Sequence, residues 1–323
     1  GKVLDVTTPT EFGFREFWIQ GKDFMLNGKR IHLRCLDYFN TGRDFALSSL
    51  PVVKETFRRA RSMGFNYVIH SNYDYEPQSF AYMADTLRAG DEVGFPMSYS
   101  TRHVSRIYRD FENPEKRADW NRIVDYAVKQ VRNHPCVFMW AMNHNFTGWA
   151  DDQSPALLPG KFEPSEQDDA EMWKRRHAAT LAEQYVMGLD GTRPCYHHQS
   201  GTLNQMTTLN CYLCFTPLQE RIEWLSAWAS EGVKPLFFVE FGLPHQASWG
   251  GHRTGPFIWR NKVNSEPLVQ EFGAMYNGDG AYDLPQYADS HYDTIAKVYA
   301  RHEPFHISEV LGAYWGHRWE KNF

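Results

Sequence analysis

Two apolar runs with polar endings carry most of the chemistry that this sequence offers. The first, Val137-Phe138-Met139-Trp140-Ala141-Met142, closes on Asn143-His144-Asn145. The second, Leu236-Phe237-Phe238-Val239, closes on Glu240-Phe241-Gly242. A histidine titrates near neutrality, so His144 can give or take a proton. A carboxylate at the end of an apolar run can act as a nucleophile or sit in a structural ion pair. Gly242, two residues on, lets the chain turn away. Further histidines fall at comparable boundaries: His70, His103, His197, His198 and His245. Imidazoles are common metal ligands, but these show neither a His-x-His strand ending nor a helical His pair. No metal and no cofactor is expected.

The elements that must position these residues follow from periodicity. An apolar run without alternation reads as a strand buried on both faces, as in a parallel sheet. Such runs alternate with helical stretches, which argues for βα units. Strands are expected at 31–36, 66–69, 94–97, 136–142, the stretch ending at His197-His198, 208–213, 236–239 and 310–315. Helices are expected at 50–63, 80–88, 119–132, 169–187, 218–230, 267–275 and 286–302. Eight strands so arranged make the fold α/β, a (β/α)8 barrel, whose chemistry lies at the C-terminal strand ends. Asn27-Gly28 marks a two-residue hairpin. Residues 1–30 therefore read as a β segment leading into the barrel, and 31–323 as one catalytic domain.

Composition narrows the partners. A formal charge of −5 with no basic block speaks against nucleic acid or a membrane surface. No apolar run approaches the roughly 18 residues of a membrane span. Aromatics make up 15% of the chain, with 11 Trp, and sugars stack on aromatic faces, although a large aromatic core accounts for most of them. The five cysteines are odd in number and fall mostly in expected strands, so they read as buried thiols. Cys211 and Cys214 have C-x-x-C spacing, but alternation sends them to opposite faces.

Arg132-Asn133-His134-Pro135, followed by an apolar run ending in Trp140, resembles the fourth barrel strand of family 2 glycoside hydrolases, which include β-galactosidases, β-glucuronidases and β-mannosidases. Phe12-Gly13-Phe14-Arg15 and Leu26-Asn27-Gly28-Lys29 resemble that family's passage from an upstream β-sandwich into the barrel, which implies upstream β-domains that are not in this chain. The resemblance makes Glu240, on strand seven, the catalytic nucleophile. Asn210-Cys211-Tyr212 is similar to the family's Asn-x-Tyr, whose tyrosine bonds the nucleophile, and Trp315 to the tryptophan flooring the sugar subsite.

The same resemblance exposes departures. The family's acid/base Glu lies five residues after the strand-four Trp, and that position is Asn145, with His144 where the sugar-binding Asn would stand. Ile69 and Asn72 replace an Arg and a His, Asp37-Tyr38-Phe39 replaces Asn-x-His, and Ser100 stands near where a Glu is often found. Such coordinated changes read as a site rebuilt.

The leading expectation is a retaining exo-glycosidase with Glu240 as nucleophile and a non-standard proton donor. Asp37, His70, Asp74, His144 and Asp151 are the candidates. His144 is favoured, and it reads equally well as a ligand of a sugar hydroxyl. Strict alternation turns it away from Asn145 unless a bulge intervenes. Substrate contacts are expected from Asp37, His70, Asn72, Trp149 in the loop 146–166, Tyr212 and Trp315. Two alternatives stay open: a uronate lyase or inverting hydrolase using His, Tyr and Asp, and a non-catalytic sugar-binding barrel. The expected partner is a carbohydrate. A homo-oligomer is left open, as is a periplasmic or secreted location against a cytoplasmic one.

Overall fold

A computed structural model describes residues 3, 5–6, 12–38, 49–70, 80–148, 155–161, 169–211 and 223–241. The chain opens with a three-stranded antiparallel sheet of β1 (Phe17–Gln20), β2 (Asp23–Leu26) and β3 (Lys29–Ile31). Leu26 pairs with Lys29, which leaves Asn27 (φ 49°) and Gly28 (φ 79°) as the two-residue turn. Both are left-handed, the geometry that matches the twist of paired strands and that Asn-Gly favours.

Parallel strands and helices then follow, alternating except between β8 and β9: β4 (Cys35–Tyr38), α1 (Leu50–Ser62), β5 (Tyr67–His70), α2 (Phe80–Val93), β6 (Met97–Ser100), α3 (Pro114–Val131), β7 (Val137–His144), α4 (Ala170–Leu189), β8 (Cys195–His198), β9 (Thr207–Cys211), α5 (Ser226–Glu231) and β10 (Leu236–Phe241). Strands β4-β5-β6-β7-β8 form one sheet in that order, and β9 pairs with β10 in parallel. These are the first seven strands of a (β/α)8 barrel in sequence order. The strand expected at 310–315 and the helices at 267–275 and 286–302 lie outside the described residues.

Local sequence explains the elements. α3 starts where Asn113 Oδ1 accepts from the Glu115 and Lys116 amides, with Pro114 in the first turn. It buries Trp120, Ile123, Val124, Val128 and Val131, a stripe at helical spacing. α4 is capped by Asp169, which accepts from the Met172 amide at 2.7 Å. The third barrel strand departs from expectation, running from Met97 rather than from 94. Gly94 (φ 71°) instead closes α2, with Phe95 N–H donating to Gly90 O, so the chain turns before it can enter the sheet.

Two cores result. One lies between the sheet and its helices, around Val53, Phe57, Phe95, Val124, Trp140 and Val186. The other fills the barrel interior, with Tyr67, Ile69, Phe138, Met139, Tyr196 and Phe237. Phe17 and Phe24 of the leading sheet join this interior core, and the Phe17 ring stacks on Phe138 at 4.6 Å. The leading sheet therefore packs against the start of the barrel strands, opposite their C-terminal ends. A cavity of about 530 Å³ lined by Leu33, Cys35, Phe65, Leu236 and Phe238 lies between β4 and β10. In the barrel order that seam belongs to the eighth strand. Among the described cysteines, Cys136 and Cys195 are buried thiols, and Cys35 is partly buried.

The start of β7 is held by two guanidinium groups. Arg193 Nε donates to Val137 O at 2.8 Å, and its Nη2 reaches Arg132 O and His134 O. Its Nη1 pairs with buried Asp190 at 2.6 Å. Arg15 donates to Pro135 O and Val137 O from the other side. Burial first, and then the neighbouring Arg193, pull the Arg15 pKa down to about 10. Gly13 lies so close to Pro135 that a Cβ there would sit 2.6 Å from its Cγ. His134 Nδ1 meets Asp91 at 2.6 Å, and Asp91 also accepts from the Cys136 amide. The motif residues 13, 15, 132–135 and 193 are thus a clamp that fixes where β7 begins.

Candidate active site

Strand β7 fixes the site because, against β8, it carries one residue too many. Ala141 stands opposite Tyr196 and His144 opposite His198, so Met142 and Asn143 together face the single residue His197. That is a β-bulge, and it reverses the alternation beyond it. Ala141 and Tyr196 belong to the barrel-interior core. His144 therefore returns to the interior side, where strict alternation would have turned it outward. Its ring lies 4.2 Å from that of His198. Beyond the strand, Asn145 takes a left-handed conformation (φ 48°), which Asn tolerates better than most residues.

Asn145 then bridges two neighbours. Its Nδ2 lies 3.2 Å from His144 Nε2, and its Oδ1 accepts from Asn210 Nδ2 at 3.0 Å. Asn210 Nδ2 also reaches Gln199 Oε1 at 3.3 Å. Asn210 sits on β9 directly opposite Glu240 of β10, at a point where the β10 register shifts. The position of the expected nucleophile is thus one strand away from a side chain bonded to Asn145. Adjacent strands lie about 4.8 Å apart.

The other histidines fall into place around this rim. His103 Nε2 lies 2.9 Å from Ser100 Oγ at the end of β6. Burial holds both His103 and His198 down to about 3, and the other imidazoles of the group push His103 in the same direction. Both rings are therefore neutral at ordinary pH. His197 points to the helix side, where its Nε2 meets Glu183 Oε2 of α4 at 2.8 Å, and its Nδ1 meets Asn143 Nδ2 at 2.7 Å. Glu183 also accepts from Asn204 and Gln205. Burial pushes its carboxyl up, but His197 first, and then Asn204 and Gln205, outweigh it and hold the carboxyl below the usual range. Among the described residues, no group of three His, Cys, Asp or Glu side chains is disposed to hold a metal ion.

Several expected residues are only partly placed. Asp37, His70 and Glu240 stand by their backbones near the ends of β4, β5 and β10. Asn72, Asp74, Trp149, Asp151, Tyr212, His245 and Trp315 lie outside the described residues. The structure brings together His103, His144, Asn145, His198 and Asn210, together with Gln199. Sequence reasoning passed over Gln199 and Glu183. Glu183 left a signal: it is a charged residue on the buried stripe of α4, among Ala179, Ala182 and Val186.

A family model described as glycosyl hydrolases family 2, TIM barrel domain, matches residues 14–275. A curated β-galactosidase of Pectobacterium atrosepticum is 23% identical over 268 residues, covering 78% of this chain and 22% of that protein. The β-D-glucuronidase structure from Dictyoglomus thermophilum aligns with a TM-score of 0.50 at 17% identity, covering 85% of this chain and 46% of the other. A β-galacturonidase structure from Eisenbergiella tayi, bound to galacturonate, aligns with a TM-score of 0.49 at 17% identity, covering 83% and 46%. The chain thus spans under a quarter of the curated relative and under half of these structures.

Proposed function

Because the chain belongs to glycosyl hydrolase family 2 and carries its (β/α)8 barrel domain, we propose that it hydrolyses terminal β-glycosides with retention of configuration. Glu240 is the nucleophile, and His144 supplies the proton that Asn145 cannot. In the first step the Glu240 carboxylate attacks the anomeric carbon and the glycosidic C–O bond breaks. The leaving oxygen takes its proton from the His144 imidazolium. In the second step neutral His144 takes a proton from water, which attacks the glycosyl-enzyme and releases Glu240.

One observation carries this reading: the bulge that turns His144 inward sets its Nε2 against Asn145, which bonds Asn210, the register partner of Glu240. The buried neighbours His103 and His198 are held neutral, so His144, which is only partly buried, is the imidazole of this group best placed to exchange protons with solvent. The named relatives suggest β-galactosides, β-glucuronides and β-galacturonides as the substrates to try first.

The amide group Asn145, Asn210 and Gln199 favours one second reading, a barrel that binds sugar hydroxyls without cleaving them. A time course with 2,4-dinitrophenyl β-glycosides of those sugars separates the two. These leaving groups need no protonation, so a working nucleophile gives a burst of phenol that azide accelerates and Glu240→Gln removes. Saturable binding with no phenol released by any glycoside would leave the binding reading.

A further inference from the structure

The residue that creates the bulge is tied to a buried carboxylate outside the barrel. Asn143 is fully buried, and it is one of the two residues facing His197. Its Nδ2 lies 2.7 Å from His197 Nδ1, and its Oδ1 has no partner within the described residues. On the other side of the ring, His197 Nε2 lies 2.8 Å from Glu183 Oε2. His197 and Glu183 are each less than 5% exposed.

The hydrogen-bond roles along this line are forced from one end. Glu183 accepts from Asn204 Nδ2 at 2.8 Å and from Gln205 Nε2 at 2.9 Å as well as facing His197. An ionised carboxylate has only acceptors, so His197 Nε2 must carry the hydrogen. Its Nδ1 faces the Asn143 NH₂, which can only donate, so Nδ1 is the acceptor there. The Asn143 side chain is thereby oriented, and with it the backbone of the bulge.

We infer that Glu183 is a positioning residue: acting through His197 and Asn143, it pins the β7 bulge that turns His144 into the barrel beside Asn145. The consequence for turnover rests on the hydrolase reading above; the structural relay does not. A helix on the outside of the barrel thus sets the direction of a side chain on the inside. It can do so because the bulge leaves an extra residue outside the regular ladder, and here that residue's side chain is held from α4 through His197.

The test uses ¹⁵N-histidine-labelled protein and the variants Glu183→Gln and Asn143→Ala. In the parent protein His197 Nε2 should carry the hydrogen and Nδ1 should be an acceptor. Glu183→Gln offers an amide that can either donate or accept, so His197 should become a mixture of tautomers and the His144 ring resonances should shift. Asn143→Ala, which leaves no unpaired charge if Glu183→Gln does not fold, should keep the proton on Nε2 and still shift His144. With 2,4-dinitrophenyl β-glycosides, either variant should lose roughly ten- to a hundredfold in kcat at nearly unchanged KM, the scale of misplacing a reacting group by about 1 Å. A proton on Nδ1 in the parent protein overturns the inference. So do unchanged His144 resonances in a folded variant. If the parent protein releases no phenol, the hydrolase reading falls, while the resonances still decide the relay.

Discussion

His144→Phe isolates proton donation from everything else at the site. The tilted ring contact with His198, at 4.2 Å between centroids, survives with a phenyl ring in place of the imidazole. The substitution removes the 3.2 Å contact with the Asn145 amide, at an exposed position. A neutral hydrogen bond of that kind contributes about 0.5–1 kcal/mol, so the fold should hold and the melting temperature should drop by only a few degrees. The catalytic loss is larger. A positioned general acid contributes roughly 10²- to 10⁴-fold, or about 3–5 kcal/mol at 1.36 kcal/mol per decade. That loss should appear only where the leaving group needs a proton. The assay compares kcat/KM for phenyl, 4-nitrophenyl and 2,4-dinitrophenyl β-glycosides of one sugar. The variant should fall on the phenyl glycoside by at least about a hundredfold, and on the dinitrophenyl glycoside by less than about tenfold. Equal losses across the series would refute His144 as the proton donor.

Asn145→Glu should restore a carboxylic acid where Asn210 Nδ2 already donates to the side chain. It should flatten the leaving-group dependence and raise phenyl glycoside hydrolysis about tenfold or more, despite roughly 1 kcal/mol of strain for a longer side chain at positive φ; an unchanged dependence would count against the site. Arg193→Met strips the buried partner from Asp190 and the donors from three carbonyls at the start of β7. Breaking such a pair costs about 3–5 kcal/mol, so a urea midpoint close to that of the parent protein would contradict the clamp. Gly148→Ala would place a Cβ 1.9 Å from Gln199 O, so it should separate the tips of β7 and β8 and lower both stability and activity; unchanged melting would refute the close approach. Glu183 is held below the usual carboxylate range, so its stabilisation is fully present above the unfolded value of about 4.3 and is lost as pH falls through the lower folded value. Urea midpoints at pH 7 and pH 3 should therefore differ more in the parent protein than in Glu183→Gln; an equal difference would show that the carboxylate contributes nothing.

The framework was legible in the sequence because each of its signals is local. Asn27-Gly28 states its turn in two residues, and the structure makes that turn. The apolar runs at 137–142 and 236–239 state buried strands without reference to any neighbour. Gly94 is ambiguous because a glycine before an apolar stretch can open a strand or close a helix, and here the bond from Phe95 N–H to Gly90 O closes α2. The direction of His144 was illegible for a different reason. A bulge is a property of a pair of strands, and β7 alone does not show that two of its residues will face His197. Glu183 was missed because its partner His197 is on a separate element, reached only once α4 packs on β8.

The bulge also explains why an amide suits position 145. Asn145 Oδ1 is anchored by the Asn210 donor, so its Nδ2 faces His144 Nε2, and a nitrogen that receives a hydrogen bond holds a lone pair there. Under the proposed mechanism, that contact suits the second half, in which His144 acts as the base. To act as the acid its Nε2 must take up a proton, and the contact with Asn145 must then either invert or give way to the leaving oxygen. Inversion would turn the Asn145 oxygen toward His144 and its NH₂ toward the Asn210 NH₂, so Asn210 would have to turn as well. A carboxylate at 145 accepts from both sides and forces neither change. The amide therefore links the protonation of His144 to the side chain that stands opposite Glu240, which a carboxylate in its place would not do.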